Sequence, residues 1–346
     1  MSRRRIVVAG AGAIGASIAL HLALRGARDV VLADRGRVAG GATAQAMGGV
    51  RQQFSTAAEV RLAQASIRFF EALGPPLFLQ VGYVFLATTD AGVAELERRL
   101  RLQRSLGVPV ERAELPPGVR SDDVLGAVAC WEDGLADPPA VTWELVRRAA
   151  ELGVDVREGV DARELTRDVL VVAAGPWSGE LCDLPVRPLC RQLLETSAVG
   201  AATDLPMVVE HETGFHFRRS SESGGLVLAM SDFEPRWGFE TQVDESVLPD
   251  RLARLEYRYP AAAGARIERG RAGLYDMTPD AHPIIGWVEA GVYAACGFSG
   301  HGFMQAPAVG AAVANEILEG ASDFDLSPYR LERFAAGAIF PEEVVL

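Results

Sequence analysis

The first 34 residues restrict the fold more than any other stretch of this chain. Arg5-Ile6-Val7-Val8-Ala9 reads as a buried strand and runs straight into Gly10-Ala11-Gly12-Ala13-Ile14-Gly15, then into an apolar, helix-like segment. A second strand, Val30-Val31-Leu32-Ala33, ends on Asp34. Each glycine has a mechanical role in such a unit. Gly10 permits the tight strand-to-helix turn, Gly12 lets the backbone approach a pyrophosphate, and Gly15 lets helix and strand pack closely. The N–H groups of the helix start, around Ala11 to Ile14, and the positive end of its dipole then face the phosphates. Asp34 follows Gly15 by nineteen positions, where an acid accepts ribose hydroxyls, and Arg35 stands beside it. A glycine turn alone also suits other α/β proteins. Strand, glycines, helix and acid in this order predict a dinucleotide site.

At 346 residues the chain exceeds what one core usually organises, so two domains are expected. Hydrophobic residues make up 49% of it, as in a globular soluble protein, and the formal charge of −12 disfavours nucleic acid or an anionic membrane as partner. Ile6 to Leu24 is apolar enough to resemble a membrane span. The glycine turn inside it and the strand after it predict a buried βα unit instead, with no membrane span and no signal peptide. Cys130, Cys182, Cys190 and Cys296 form neither a CxxC pair nor a metal-ligand spacing, which predicts no metal and a reduced, cytoplasmic chain. All 34 basic residues are arginine; lysine is absent.

After a glycine-rich loop from Gly40 to Gly49, helical periodicity covers Ala57 to Leu73 and stops at Gly74-Pro75-Pro76. Val81 to Thr88 reads as a strand, Ala91 to Leu106 as a helix, Ala127 to Trp131 as a strand and Pro138 to Leu152 as a helix. Strands follow at Val154 to Val156 and Val169 to Ala174, and residues 186 to 230 are strand-rich, with apolar alternation from Thr213 to Arg218. Val247 to Tyr257 is helical, and a last strand, Gly291 to Ala295, leads through Cys296-Gly297-Phe298-Ser299-Gly300-His301-Gly302-Phe303-Met304 into a small-residue helix from about Gln305 to Leu318.

The motifs GAGAIG, GATAQAMGGVRQQF, EDGLADP, VVAAGPWS, LYDMTPDAHPIIG and CGFSGHGFM, in this order, resemble those of the D-amino-acid-oxidase superfamily of FAD-dependent amine oxidoreductases. Within it the chain is most similar to the sarcosine oxidase and dehydrogenase group and to the β-subunits of dye-linked proline dehydrogenases. The likeness spans Arg5 to Phe334. It implies an α/β fold in which a Rossmann-like FAD-binding domain (1–75, 132–180 and 277–346) is interleaved with a mixed-sheet α+β substrate domain (76–131 and 181–276). The implied cofactor is FAD rather than NAD, because the C-terminal loop has no place in an NAD enzyme.

Residue by residue, the resemblance puts Gly10, Ala11, Gly12, Ile14, Gly15, Asp34, Arg35, Gly41, Ala42, Thr43, Gly48 and Gly49 around the cofactor. It adds Ala162 on the adenine side and Gly175 beside the FAD. Gly297, Gly300, His301, Gly302, Phe303 and Met304 would pass beneath the flavin, where the helix dipole supports the reduced ring. Arg51 is the implied carboxylate-holding, flavin-facing arginine. His301 and Tyr275 are further catalytic candidates. His216, on an apolar alternating strand, reads equally as a cavity residue or a satisfied core histidine. Phe215, Phe217, Trp237 and Phe239 suggest an apolar cavity or simply core.

Three departures from the family pattern matter. Gly273 stands where covalent members carry a flavin-linking cysteine, so FAD is expected to be non-covalent. Met304 replaces the lysine of the HGFK motif. The segment 157–168 is too short for the β-meander of relatives. The implied reaction is hydride transfer from the carbon next to nitrogen to flavin N5, giving an imine, with an amino acid or a secondary or N-alkylated amine as substrate and a dehydrogenase favoured over an oxidase. A protein, quinone or partner subunit is the expected electron acceptor. The alternative is a cofactor-bearing subunit or assembly factor of a larger redox complex.

Overall fold

The structure is a computed structural model and describes residues 4–200, 202–221 and 223–346. They group into two compact units: Met1–Gly48, Asp137–Leu189 and Leu274–Val345 in the first, Gly49–Ala136, Cys190–Gly273 and Leu346 in the second.

The first unit is built on a six-stranded sheet in the order Ile284–Glu289, Val292–Cys296, Val169–Val172, Arg5–Ala9, Asp29–Asp34, Asp155–Glu158. The inner pairings are parallel, and only the edge strand Ile284–Glu289 runs antiparallel to its neighbour. Runs such as VLVV and IVVA fit this place, because inner strands of a parallel sheet are covered on both faces and need no polar side. Helix Ala13–Leu24 packs on helices Pro138–Glu151 and Gly302–Glu319. Asp137 caps helix Pro138–Glu151, accepting the N–H of Ala140 at 2.9 Å, with proline in the first turn where its missing N–H costs nothing. The apolar stretch Ile6 to Leu24 is therefore a buried strand and helix, and no helix among the described residues is long and apolar enough to cross a membrane.

The second unit carries an eight-stranded sheet ordered Ile267–Met277, Arg187–Thr196, Leu226–Ala229, His216–Arg219, Met207–Glu210, Tyr83–Ala87, Gly126–Cys130, Val110–Arg112. Met207–Glu210 pairs in parallel with Tyr83–Ala87. Helix Ala57–Leu73 opens on a capping box: Thr56 Oγ1 accepts the N–H of Glu59, and Gly74 ends the helix at φ +58°. Phe215 and Phe217 are fully buried beside Leu226, Leu228 and Tyr259, so they are core residues, whereas Trp237 and Phe239 are exposed. Of the two readings, cavity or core, Phe215 and Phe217 take the second.

The division of the chain differs from the one expected. Residues 49–75 and 132–136 belong to the second unit because Gly49–Val50 pairs with Gly134–Leu135, which in turn pairs with Phe78–Leu79. Residues 181–189 and 274–276 belong to the first: Leu184 and Val186 enter its core with Ile284 and Cys296. The segment 157–168 holds one 3-10 turn, Ala162–Glu164, and no strand beyond Glu158 among the described residues.

Candidate functional site

Four adjacent parallel strands of the first unit end along one edge, and each end carries a singled-out residue. Gly10 follows Arg5–Ala9, Asp34 closes Asp29–Asp34, Gly175 comes three positions after Val169–Val172, and Gly297 follows Val292–Cys296. The register sets Ala9 beside both Ala33 and Val172, and Val172 beside Ala294. The sheet order reverses direction at Arg5–Ala9, so this edge is a topological switch point, where open α/β sheets bind their ligands.

Gly10 has φ +107° and lies so close to Ala173 and Ala174 that a methyl group there would overlap the Ala173 carbonyl. Gly12 caps helix Ala13–Leu24 without any side-chain acceptor, while Thr43 Oγ1 takes the N–H of Ala13 at 3.2 Å. Asp34 is tied to the turn as well as available to a ligand. Its Oδ2 accepts the N–H of Ala11 at 2.7 Å and its Oδ1 that of Gly36 at 2.7 Å. Each oxygen keeps a second lone pair. Ala11 and Gly15 are buried, Ile14 is half-buried, and Ala42 and Thr43 sit half-buried in the turn Ala42–Gln45. Gly41 borders the Trp177 ring. Arg35 pairs at the surface with Glu180 at 2.9 Å. Gly48 closes the first unit at φ +82° and Gly49 opens the second, packed against Tyr83. The Ala162 side chain lies in the core of the first unit.

The C-terminal loop is held in a strained shape. Gly297, Ser299 and Gly300 have φ of +76°, +51° and +94°. The Asp276 carboxylate, buried below it, accepts the N–H of Gly297 at 2.7 Å, and its main-chain oxygen accepts that of Ser299 at 3.2 Å. Burial pushes the Asp276 carboxyl up to about 6 against the lowering effect of these backbone bonds. The half-buried Tyr275 ring covers Gly300, leaving no room for a side chain there. His301, almost fully buried, caps helix Gly302–Glu319 without a side-chain bond into it. Gly302 and Phe303 are half-buried, Met304 is buried, and burial raises the neighbouring Cys296 thiol well above the usual thiol range.

The second unit brings Arg51 and His216 into one electrostatic neighbourhood. Arg51 is 2% exposed; its guanidinium lies 4.0 Å from the Phe54 ring centre and donates to the Gln53 carbonyl. His216 is lowered to about 4, first by burial and then by the charges of Arg51 and Arg191, against the raising effect of its bond to Gly214. Its Nδ1 stands 2.8 Å from the Gly214 carbonyl, an acceptor only, so Nδ1 carries the proton and Nε2 a lone pair. Asp133 underlies the loop carrying Arg51, accepting from Gln52 N at 3.0 Å, Gln52 Nε2 at 3.2 Å and Gln53 Nε2 at 3.1 Å. Burial raises it to about 6 even so. Sequence reasoning missed Asp133, Asp276, Gln52 and Gln53 as organising residues. The available signal was an acid enclosed by apolar and glycine neighbours in EDGLADP and LYDMTPD.

The first unit fits FAD. A helix whose cap residue Gly12 has no side chain in the way, a backbone approach that excludes any side chain at Gly10, and a carboxylate with spare lone pairs at the next strand end are what a dinucleotide requires. Among the described residues no group of three or more His, Cys, Asp or Glu side chains could hold a metal ion. The family of FAD-dependent oxidoreductases known as DAO matches residues 5–316. Bovine FAD-dependent oxidoreductase domain-containing protein 1 is 28% identical, over 99% of this chain and 87% of its own length. Sarcosine oxidase subunit beta of an Arthrobacter species is 25% identical over 97% of this chain and 92% of its own. The crystal structure of L-proline dehydrogenase from P. horikoshii superposes with a TM-score of 0.90 at 27% identity, covering 97% of this chain and 99% of that one. Glycine geometry, sheet order and these likenesses agree: the chain belongs to the DAO family of FAD-dependent oxidoreductases.

Proposed function

We propose that this protein oxidises an amino acid or a secondary or N-alkylated amine at the carbon next to nitrogen, giving an imine that water hydrolyses. When bound, FAD supplies the hydride acceptor at its N5. The observation that carries the reading is the burial in the second unit of a charge and of a histidine that feels it: Arg51 at 2% exposure and His216 at 4%. A guanidinium can hold a carboxylate through two parallel N–H bonds. The uncharged His216 presents Nε2 as an acceptor for an amine N–H, and the Arg51 charge disfavours an ammonium, so the amine is held in its reactive neutral form. Sarcosine and L-proline, which the names of two similar proteins carry, both combine a carboxylate with a secondary amine.

In this reading Gly10 to Gly15, Asp34, Arg35, Gly41 to Thr43 and Gly175 hold the pyrophosphate and ribose side, and the loop Gly297 to Met304 lies beneath the ring. Tyr275 and His301 shape that loop. FAD is held non-covalently, because Gly273 offers no nucleophile. Acid precipitation should leave all yellow colour in the supernatant, and colour fixed to the pellet would contradict this.

The test of the substrate reading is anaerobic bleaching of the flavin absorbance by a panel of amines. Arg51→Met should slow reduction about a hundredfold for amino acids, the loss of two charge-assisted bonds, and far less for uncharged amines. Equal losses for both would assign Arg51 a structural role. The name of the Arthrobacter relative, a subunit, keeps one other reading in play, a cofactor-bearing subunit without turnover of its own. Steady turnover of the isolated chain with an artificial dye excludes it.

A further inference from the structure

The last residues of the first unit lie as an extended strap over the loops just described. Burial alternates along it: Phe340 is half-buried, Glu342 and Val344 are buried, and Pro341 and Glu343 are exposed. Three backbone bonds fasten it. The Phe340 carbonyl accepts from His282 Nε2 at 2.6 Å, the Glu342 N–H donates to the Asp280 carbonyl at 3.1 Å, and the Val344 carbonyl accepts from His301 Nε2 at 3.1 Å. The Phe340 ring also stacks on His282 at 3.9 Å and 15°. Glu342 Oε1 accepts the N–H of Val344, which holds the strap in its bent course, and Arg333 clamps Asp280 through two bonds of 2.8 and 2.9 Å.

The bond to Val344 has a chemical consequence. A carbonyl only accepts, so His301 Nε2 carries a proton, and in the neutral ring Nδ1 is the basic nitrogen. One residue earlier the chain is at Gly300 with φ +94°, and one later begins helix Gly302–Glu319. The ring at position 301 thus sits between a strained turn and a helix start, and its orientation is fixed from segment 340–344.

We propose that Phe340–Val344 is a working part of the flavin site. It acts through His301 as a positioning element that holds the loop Gly297–Phe303 in its cofactor-binding shape. This rests on the placement of FAD over that loop proposed above. Phe340 and Glu342 fix the strap, the Val344 carbonyl sets the His301 ring, and His301 sets the turn. None of them needs to touch a substrate.

The test compares the full chain with a variant lacking residues 340–346, with His301→Leu, which removes the donor, and with His301→Gln, which restores one. FAD dissociation constants of the apoproteins, flavin midpoint potentials and melting temperatures without FAD are measured. Deletion and His301→Leu should each weaken FAD binding about tenfold, the loss of one net hydrogen bond, and shift the potential in the same direction. Combining them should add little, since both break one chain of contacts, and His301→Gln should recover most of the affinity. An affinity and potential unchanged by His301→Leu, with only melting lowered, would overturn the proposal. So would additive losses in the double variant. If the unmodified chain binds FAD normally while these variants match it, the strap idea fails and the site reading stands; a chain that binds no FAD sinks both.

Discussion

His216 and Asp133 are buried in one unit and pulled in opposite directions by the same cause. Burial disfavours charge on either, lowering the histidine to about 4 and raising the aspartate to about 6. For His216 the consequence is acid sensitivity. The unfolded chain takes up this proton near 6.5 and the folded one only near 4, so between those values the unfolded state binds more protons. The contribution is complete above 6.5 and is lost as pH falls through 4, on the order of 2–3 kcal/mol in total. His216→Gln should therefore flatten the fall of melting temperature between pH 7 and 4 relative to the parent. Parallel curves would show that the imidazole takes up its proton equally well in the folded and unfolded chain. Asp133 titrates with the other sign: its burial costs stability as pH rises through 6. At this scale the sequence was legible where chemistry and position coincide. The place of Asp34 at the end of its strand could be read from the sequence, but not its bonds to the N–H groups of Ala11 and Gly36, which depend on how the turn closes. The lowered pKa of His216 could not be read, because it depends first on burial and then on the charges of Arg51 and Arg191, distant in sequence.

The loop from Gly297 to His301 shows how an element can be specified by what it excludes. Gly300→Ala should lower both FAD content and melting temperature. The residue would be forced into a left-handed conformation costing about 1–3 kcal/mol and its methyl group would overlap the Tyr275 ring. Adding Tyr275→Gly should return only the overlap part, visible as a partial recovery of melting temperature; full recovery would mean the backbone is not strained. Most helices and strands were legible. Ala57–Leu73 has both a capping box and a glycine stop, and its bounds match those read from periodicity. Strand Ile267–Met277 was not recognised, since it carries mixed charge and glycine rather than an apolar run, and Ile284–Glu289 was not, since Gly286 interrupts its short apolar stretch. The short ladder of Gly49–Val50, Gly134–Ala136 and Phe78–Leu79 is invisible locally, because its partners lie up to 86 residues apart, and without it the division into compact units could not be read.

Across the whole molecule, all compact positive charge is missing, since every basic residue is an arginine. Met304 is buried and apolar in the loop proposed to lie beneath the flavin ring. Guanidinium spreads its charge over a plane and mimics an ammonium poorly. Reduced protein mixed with aerated buffer in a stopped-flow instrument should therefore reoxidise slowly, and a dye or quinone should do so faster. Oxygen reactivity as high as a typical flavin oxidase would make the chain an oxidase and defeat the dehydrogenase reading.

The chain passes between its two units at residues 48–49, 136–137, 189–190, 273–274 and 345–346, so neither unit is one uninterrupted stretch. Inheritance by exchange of gene segments works on uninterrupted stretches. A single crossover in such a chain always carries part of one unit into a foreign copy of the other.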